Sequence, residues 1–574
     1  MTLRCIGILL CLSSHATMST NDTAHRRLDC ALLLVVVLLS TLPYIASIGF
    51  YFDSWLSLSG MMYAPDHSVT SLYRVLNTDY GENVRPVQAI YVALSFKSFG
   101  LNPLGYHLTG SALLALTTLM FYLAVSQIEQ VGRWVALTVA LVFSLLPHYS
   151  TTRFWFSSHQ ATICVGLALL GLYLLQGALS PDASGTAKWL TLLAAVVSLV
   201  LSFLSYEIAV GTIGGGLAFI GGREWMRRRE SSRVLAMKSL LPVIVAGGTL
   251  LLAGGLKAHF QQRFSYQHHF YRHIGALIRH ALLQCVQFNW WRYFLRMPLD
   301  IARLALVGGL SGPAAACATA IAFVVLAYYW RKMDHSAVPS LRSNLLLVAI
   351  GILLFFLGFA VFAFDLNSDF TPQDVNNRIT MASALGAAFV LLGTIGALCR
   401  LVPPLVRSRV FACVVALACA GDSLIVSGCA SFWTEANTRQ RAILDHAVTD
   451  LKDLPGGSTI LLEGSCRDVG PAPIFEGIED SSGAFRLVLH DPQLTADVVS
   501  NLLRYGNDSV VDTRYEEPDG RYPFGSRLFV YDVARRTVTP LTSAEAARNH
   551  WHGLQPESPP GCAQVIEGHG APIL

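Results

Sequence analysis

FDSW at Phe52–Trp55, NVRP at Asn83–Pro86 and FGLNPLGYHL at Phe99–Leu108 mark out a stretch that runs from Phe52 to Leu114. It joins a carboxylate just beyond one apolar run to a motif-dense return into the next. That pattern points to an active site at a membrane surface.

Composition sets the fold class. Of 574 residues, 53% are hydrophobic and 14% charged, with a mean hydropathy of +0.48. Such a chain is too apolar for a soluble globular protein, and reads as a polytopic α-helical membrane protein. The net charge of +4 gives no reason to invoke nucleic acid. Most of the 12 cysteines, Cys164, Cys317, Cys413 and Cys419 among them, fall in apolar runs where a thiol acts as a small hydrophobe. No CxxC pair argues for a metal. At the start, Met1–Leu12 resembles a weak signal sequence and a second methionine, Met18, follows, so a late start or a dispensable leader is expected.

Crossing about 30 Å of hydrocarbon takes roughly 18 to 22 apolar residues in a helix. Apolar runs occur at 30–50, 104–126, 132–148, 159–177, 188–206, 208–221, 239–256, 305–329, 344–364, 379–399 and 410–429, predicting about eleven spans. Basic residues gather before the first run (Arg26, Arg27), between the sixth and seventh (Arg223, Arg227, Arg228, Arg229, Arg233, Lys238), between the eighth and ninth (Arg331, Lys332, Arg342) and between the tenth and eleventh (Arg400, Arg407, Arg409). Lys and Arg are retained on the cytoplasmic side. The N-terminal segment 1–29 is therefore expected to be cytoplasmic, the membrane domain to span 30–430, and residues 431–574 to form an extracytoplasmic domain. The loop 51–103, the shorter loop 148–158, the segment 257–300 and the loop Phe364–Asn377 fall on that outer side too. Within the third of these, Tyr266–Arg296 mixes His, Arg and aromatics as an interfacial helix does.

The tail turns polar. Thr434–Leu454 reads as a helix, Thr459–Glu463 and Phe485–His490 as strands, and Arg527–Leu541 as a strand pair, together a small α/β domain. Cys466 and Cys562 are its only cysteines, and an oxidising compartment would allow them to pair.

Candidate chemistry lies at the external span ends. Asp53, followed by Trp55, reads either as a solvated loop acid or as a general base fixed at the bilayer boundary. Arg85 precedes Pro86 at the head of a short helix, where a guanidinium suits either a phosphate or snorkelling to the interface. Glu207 in LSYEIAV lies between two apolar runs, where an ionisable group needs a polar cavity or a partner. His148, Arg153 and His159 lie in PHYSTTRFWFSSHQ, and Arg378 in DVNNRITM at the mouth of the tenth span. Together these cations could bind an anionic headgroup.

Taken in order, Arg85-Pro86, FGLNPLGYHL, FSLLP with its later Trp (Phe143–Trp155) and LSYE (Leu204–Glu207) resemble the N-terminal membrane half of the C-type (GT-C) glycosyltransferases. The resemblance is closest to the transmembrane tetratricopeptide-repeat O-mannosyltransferases and covers roughly residues 30–220. It implies an enzyme that takes a sugar from a polyprenyl-phosphate donor and passes it to a glycan, lipid or protein acceptor outside the cytoplasm. The expected location is a multi-pass protein in the bilayer of a bacterial inner membrane. The acid it assigns to catalysis falls on Asp53, with Glu207 as the acid of the fifth-span motif. Arg85, Arg153 and Arg378 would hold the donor phosphate; Asp66, Asp79 and Glu82, and the histidines His107, His148 and His159, are further candidates. Departures from the family are Ser54 where a second acid is frequent, Tyr206 where a lysine is usual, Tyr149 and Thr151 after the FSLLP proline, and a tail without tetratricopeptide repeats. This scheme needs neither metal nor other cofactor. A non-enzymatic lipid or glycan transporter, or an assembly scaffold on the same architecture, is the competing reading. A transporter would spread polar residues through mid-span positions, whereas here they gather at external ends.

Overall fold

The computed structural model describes residues 20–79, 85–128, 131–180, 185–229, 233–261, 279, 297–308, 311–333, 338–362, 375–515, 520–560 and 562. Glu82, most of the segment Tyr266–Arg296 and most of the loop Phe364–Asn377 lie outside the described residues. So does the side chain of Asp79, whose backbone ends the helix Val69–Asp79.

Helices dominate, and the chain is a polytopic membrane protein. Among the described residues, eight helices are long and apolar enough to cross a bilayer: Pro103–Ser126, Phe156–Ala178, Gly185–Ser205, Leu240–Lys257, Gly312–Lys332, Leu341–Phe359, Asn376–Cys399 and Pro404–Asp450. The remaining three apolar runs form the helix Thr20–Thr41, the 13-residue helix Arg133–Leu145 and the helix Val210–Arg229, which ends in arginines. On the outer faces Leu251, Leu306, Leu401 and Leu405 are 72–83% exposed. Leucine on such a surface is matched to hydrocarbon rather than water.

Local signals set the helix starts. In FGLNPLGYHL the Asn102 side chain accepts the Leu104 N–H at 3.1 Å, and Pro103 opens the helix. The run expected at 305–329 is divided: one helix covers Met297–Gly308, and the next begins at Gly312, where the Ser311 hydroxyl accepts the Ala314 N–H at 3.3 Å. The first helix ends at Thr41, just before Pro43, which cannot continue it.

One end of the bundle is tied by Asp29, which is fully buried. Its carboxylate receives Arg133 through Nε and Nη2, both at 2.7 Å, and the hydroxyls of Tyr122 and Tyr328, both at 2.6 Å. Four helices are joined there, and a buried ion pair is tolerated because every partner is satisfied. The helix that carries Asp29 leads away from this knot toward Asp53, at the end where Arg85, Glu207 and Arg378 also lie.

The segment expected as a loop at 148–158 is no loop. It folds as three short helical turns, Pro147–Tyr149, Thr151–Phe154 and Phe156–Ser158, all buried, because Tyr149, Phe154, Trp155 and Phe156 make it too apolar to stand in water.

A single helix runs from Pro404 to Asp450, so the last span and the helix expected at Thr434–Leu454 are one element, continuous across residue 431. It leads into a four-stranded sheet. Thr459–Glu463 lies at its centre, parallel to both Thr495–Val498 and Leu528–Asp532, and Thr537–Pro540 pairs antiparallel on the edge. A smaller antiparallel sheet is built from Leu503–Tyr505, Ser509–Asp512 and Arg521–Pro523.

The strand expected at Phe485–His490 is instead the end of a helix, Ile478–Leu489. Asp480 decides this: its carboxylate accepts the N–H groups of Glu476 at 2.6 Å and Gly477 at 3.0 Å, capping the helix start. The disulfide Cys466–Cys562, with Cα atoms 5.3 Å apart, ties the tail's two ends. One apolar core runs without a break from Tyr51 and Phe154 through Trp433 to Phe475 and Phe485.

Candidate functional site

Asp53 is the first residue of the helix Asp53–Met62. Its carboxylate therefore sits where unsatisfied backbone N–H groups favour negative charge. Phe52, just before it, has φ 51° and ψ −140°, a conformation that costs a residue with a side chain about 1–3 kcal/mol. Its surroundings impose that cost: the Phe52 ring lies 5.1 Å from Trp155 and 6.5 Å from Trp433 of the long helix, and the Tyr51 hydroxyl donates to the Trp433 carbonyl.

Trp155 holds the acid. Its indole N–H lies 3.1 Å from Asp53 Oδ1 and 3.1 Å from Ser54 Oγ. Ser54, wholly buried, is 3.1 Å from Ser157 Oγ, and Ser157 also bonds the Asp53 carboxyl. Ser54 thus serves as a strut beneath the carboxylate. Burial pushes the Asp53 carboxyl above the usual carboxylate range; the Ser157 and Trp155 hydrogen bonds and the charges of Arg378 and Arg85 pull against it.

Three cations surround this acid and a second carboxylate. Arg85 is the N-cap of the helix Pro86–Phe99, with its guanidinium 3.4 Å from Glu207 Oε2 and 4.6 Å from the centre of the Tyr206 ring. A cation at a helix N-terminus is electrostatically unfavourable, and Glu207 offsets it. Glu207 lies in the turn between Gly185–Ser205 and Val210–Arg229 and also receives the Lys257 ammonium, which donates in addition to the Phe203 carbonyl at 3.3 Å. Burial alone would raise the Glu207 carboxyl, but Arg85 and Lys257 outweigh it and hold the group below its ordinary range. Arg378 lies 4.8 Å over the Trp155 ring. Among the described residues Arg85, Lys257 and Arg378 gather around Glu207 and Asp53, a cluster of cations of the kind that can receive an anion.

The other expected residues are placed elsewhere. Arg153 is turned into the bundle, where it donates to the Ser144 carbonyl and lies 3.4 Å from Ser40 Oγ; it is not brought to the Asp53 carboxylate. His107 bonds the Gly49 carbonyl at 2.9 Å, and His159 the Tyr91 hydroxyl at 2.8 Å, both buried. His148 is buried as well, its carbonyl accepting from Thr380 at 2.7 Å. Asp66 accepts the Ser68 N–H at 2.7 Å on an exposed turn.

The tail reaches the site. At Gly483 the helix Ile478–Leu489 lies so close to the helix Asp53–Met62 that a Cβ there would stand 2.4 Å from the Trp55 carbonyl carbon and 2.5 Å from the Leu56 nitrogen. A cavity of about 240 Å³ separates Phe52 from Glu476, Glu479, Asp480, Arg514 and Tyr515 of the tail. Glu479 has much of its side chain exposed, yet its carboxyl is pushed up by desolvation and by the charge of Asp53, with Arg514 opposing. Burial also pushes Asp480 up to about 7, against its backbone hydrogen bonds.

Sequence reasoning missed Lys257, Ser157 and Glu479, and had Trp155 only as the tryptophan that follows FSLLP, with no role at the acid. For Lys257 a signal existed, a lone lysine directly after an apolar run. Glu479 carried none, since only the fold brings it near Asp53.

No family model matches the sequence, and no curated protein matches it either. Among solved structures, the crystal structure of ArnT from Cupriavidus metallidurans bound to undecaprenyl phosphate is similar at 14% identity and a TM-score of 0.38, over 83% of this chain and 86% of that one. A likeness of that degree assigns neither family nor activity.

Proposed function

We propose that this chain is a GT-C-type glycosyltransferase that moves a sugar from a polyprenyl phosphate to an acceptor hydroxyl on the extracytoplasmic face of a bacterial inner membrane. The observation that carries the reading is Asp53, a carboxylate fixed by Trp155 and Ser157 at the bundle end and faced by Arg85 and Arg378. The acceptor oxygen attacks the anomeric carbon with inversion, and its proton passes to Asp53. The bond from that carbon to the phosphate oxygen breaks, and its electron pair leaves with the polyprenyl phosphate. Arg85 and Arg378, with the balance of charge set by Lys257 and Glu207, offset the negative charge that develops on that leaving group. Arg153 is left out of this scheme, since its guanidinium bonds the Ser144 carbonyl inside the bundle.

A raised carboxyl suits the base, since proton transfer works best when the group's pKa approaches the working pH. The disulfide Cys466–Cys562 supports the extracytoplasmic placement of the tail, as such bonds persist in oxidising compartments. Mass analysis of surface glycans from cells with and without the gene tests the proposal. Loss of one sugar with accumulation of its lipid-linked donor is expected; loss of lipid export without a glycan change would favour a transporter instead.

A further inference from the structure

Each part of the molecule brings a different balance of charge. The membrane helices and their connections supply Arg85, Lys257 and Arg378 with Glu207, whereas the tail side of the cavity carries Glu476, Glu479 and Asp480 with Arg514. Asp53 stands between the two groups, beside Phe52, which forms the cavity's opposite wall.

Most polar groups lining this cavity are already engaged. Arg514 donates Nε to Asp512 at 3.0 Å, Nη1 to the Glu476 carbonyl at 2.7 Å, and Nη2 to Asp512 and, at 3.4 Å, to Asp497. Asp480 accepts the N–H groups of Glu476, Gly477 and Ser481. Among the described residues, no hydrogen bond occupies the Glu479 carboxylate or the Tyr515 hydroxyl. One carboxylate acceptor and one phenol with its ring, in a space below the roughly 300–1,000 Å³ of pockets for drug-sized ligands, suit a single sugar ring presented by its hydroxyls. Glu476, Glu479 and Asp480 outnumber Arg514 around this space, a balance that disfavours a phosphate.

We propose that the tail carries the acceptor subsite of this enzyme: Glu479 and Tyr515 bind the hydroxyls of a neutral or amino sugar across the cavity from Phe52 and so bring one hydroxyl to Asp53. This rests on Asp53 being the base. The donor phosphate and the acceptor then approach from opposite sides, the first toward the cations of the membrane helices and the second toward the acids of the tail.

The test uses the full-length protein in cells lacking the gene, restored with wild type, Glu479→Gln, Tyr515→Phe or Asp53→Asn. Two quantities are read: the initial rate at which the surface glycan product appears, by mass analysis, and binding of undecaprenyl phosphate to the purified protein by native mass spectrometry. Glu479→Gln should slow product by about 10-fold or more, the worth of a hydrogen bond to a charged group, and Tyr515→Phe by about 5-fold, the worth of a neutral one, while both bind undecaprenyl phosphate as wild type does. If Asp53→Asn is inactive but both tail variants run at the wild-type rate, the acceptor subsite is elsewhere and the base assignment stands. If the tail variants lose undecaprenyl phosphate binding, the cavity belongs to the donor and the proposal falls. An active Asp53→Asn overturns the base assignment and this subsite with it.

Discussion

The indole N–H of Trp155 lies 3.1 Å from Asp53 Oδ1 and equally far from Ser54 Oγ, so one buried ring fixes the acid and its strut together. Trp155→Phe keeps most of the ring and removes the donor. Because that hydrogen bond lowers the Asp53 carboxyl against burial, its loss raises the group further. Transfer needs the carboxylate ionised, so the acid limb of the pH–rate profile should move to higher pH, with the rate near neutrality falling about 10-fold. An unmoved limb would separate Trp155 from the acid.

Arg378→Gln tests the same carboxylate from its cationic side. The charge of Arg378 is among the influences that pull Asp53 down, so the variant should also shift the acid limb upward. Unlike Trp155→Phe it should weaken undecaprenyl phosphate binding, measured by native mass spectrometry.

Much of this architecture was legible in the sequence, and the misses have physical causes. Apolar runs located the helices because hydrocarbon imposes a length rule on each segment independently. Asp53, Arg85 and Glu207 stood out because charges beside apolar runs are costly. The turns at 147–158 were misjudged because Pro147 and the Ser and Thr residues read as a loop, whereas the aromatics among them drive the segment into the bundle. Phe485–His490 is a short apolar run with the composition of a strand, but the Asp480 cap upstream of it makes it helix. Lys257 stood directly after an apolar run, but its pairing with Glu207, like the approach of Glu479 to Asp53, depended on tertiary packing that spacing does not encode.

Glu207 carries a stability prediction. Its carboxyl is held low in the folded protein by Arg85 and Lys257, so its contribution is present above the unfolded carboxylate pKa of about 4.3. It is lost as pH falls through the lower folded value. Glu207→Gln removes it at neutral pH and leaves Lys257, 4% exposed, without its counter-charge. A loss of about 3 kcal/mol is expected, the cost of breaking a buried pair from one side. Thermal unfolding of the two proteins at neutral pH and near pH 3 checks this, and the gap should narrow in acid.

The disulfide should stabilise the tail. Cys466 and Cys562 are 96 positions apart, and closing such a loop restricts the unfolded chain by about 2–4 kcal/mol. Replacing both by Ser should lower the tail's unfolding temperature, and reductant should reproduce the effect in wild type. It should leave the Cys466→Ser/Cys562→Ser protein unchanged.

Gly483 sets the distance between the tail and the loop helix. Gly483→Val puts a branched side chain where a Cβ alone would meet Trp55 backbone at 2.4 Å, so the two helices must separate. Limited proteolysis should release the tail more readily, and product formation should fall while the membrane domain stays inserted.

The central claim is that Asp53 takes the proton of the acceptor hydroxyl. The most direct measurement is the rate of sugar transfer to the surface glycan by Asp53→Asn, in a preparation shown to be inserted and to hold the Cys466–Cys562 disulfide. A fall of about 10²- to 10⁴-fold, the usual worth of a positioned base, with lipid-linked donor accumulating, is the expected result. Transfer at the wild-type rate would contradict the account.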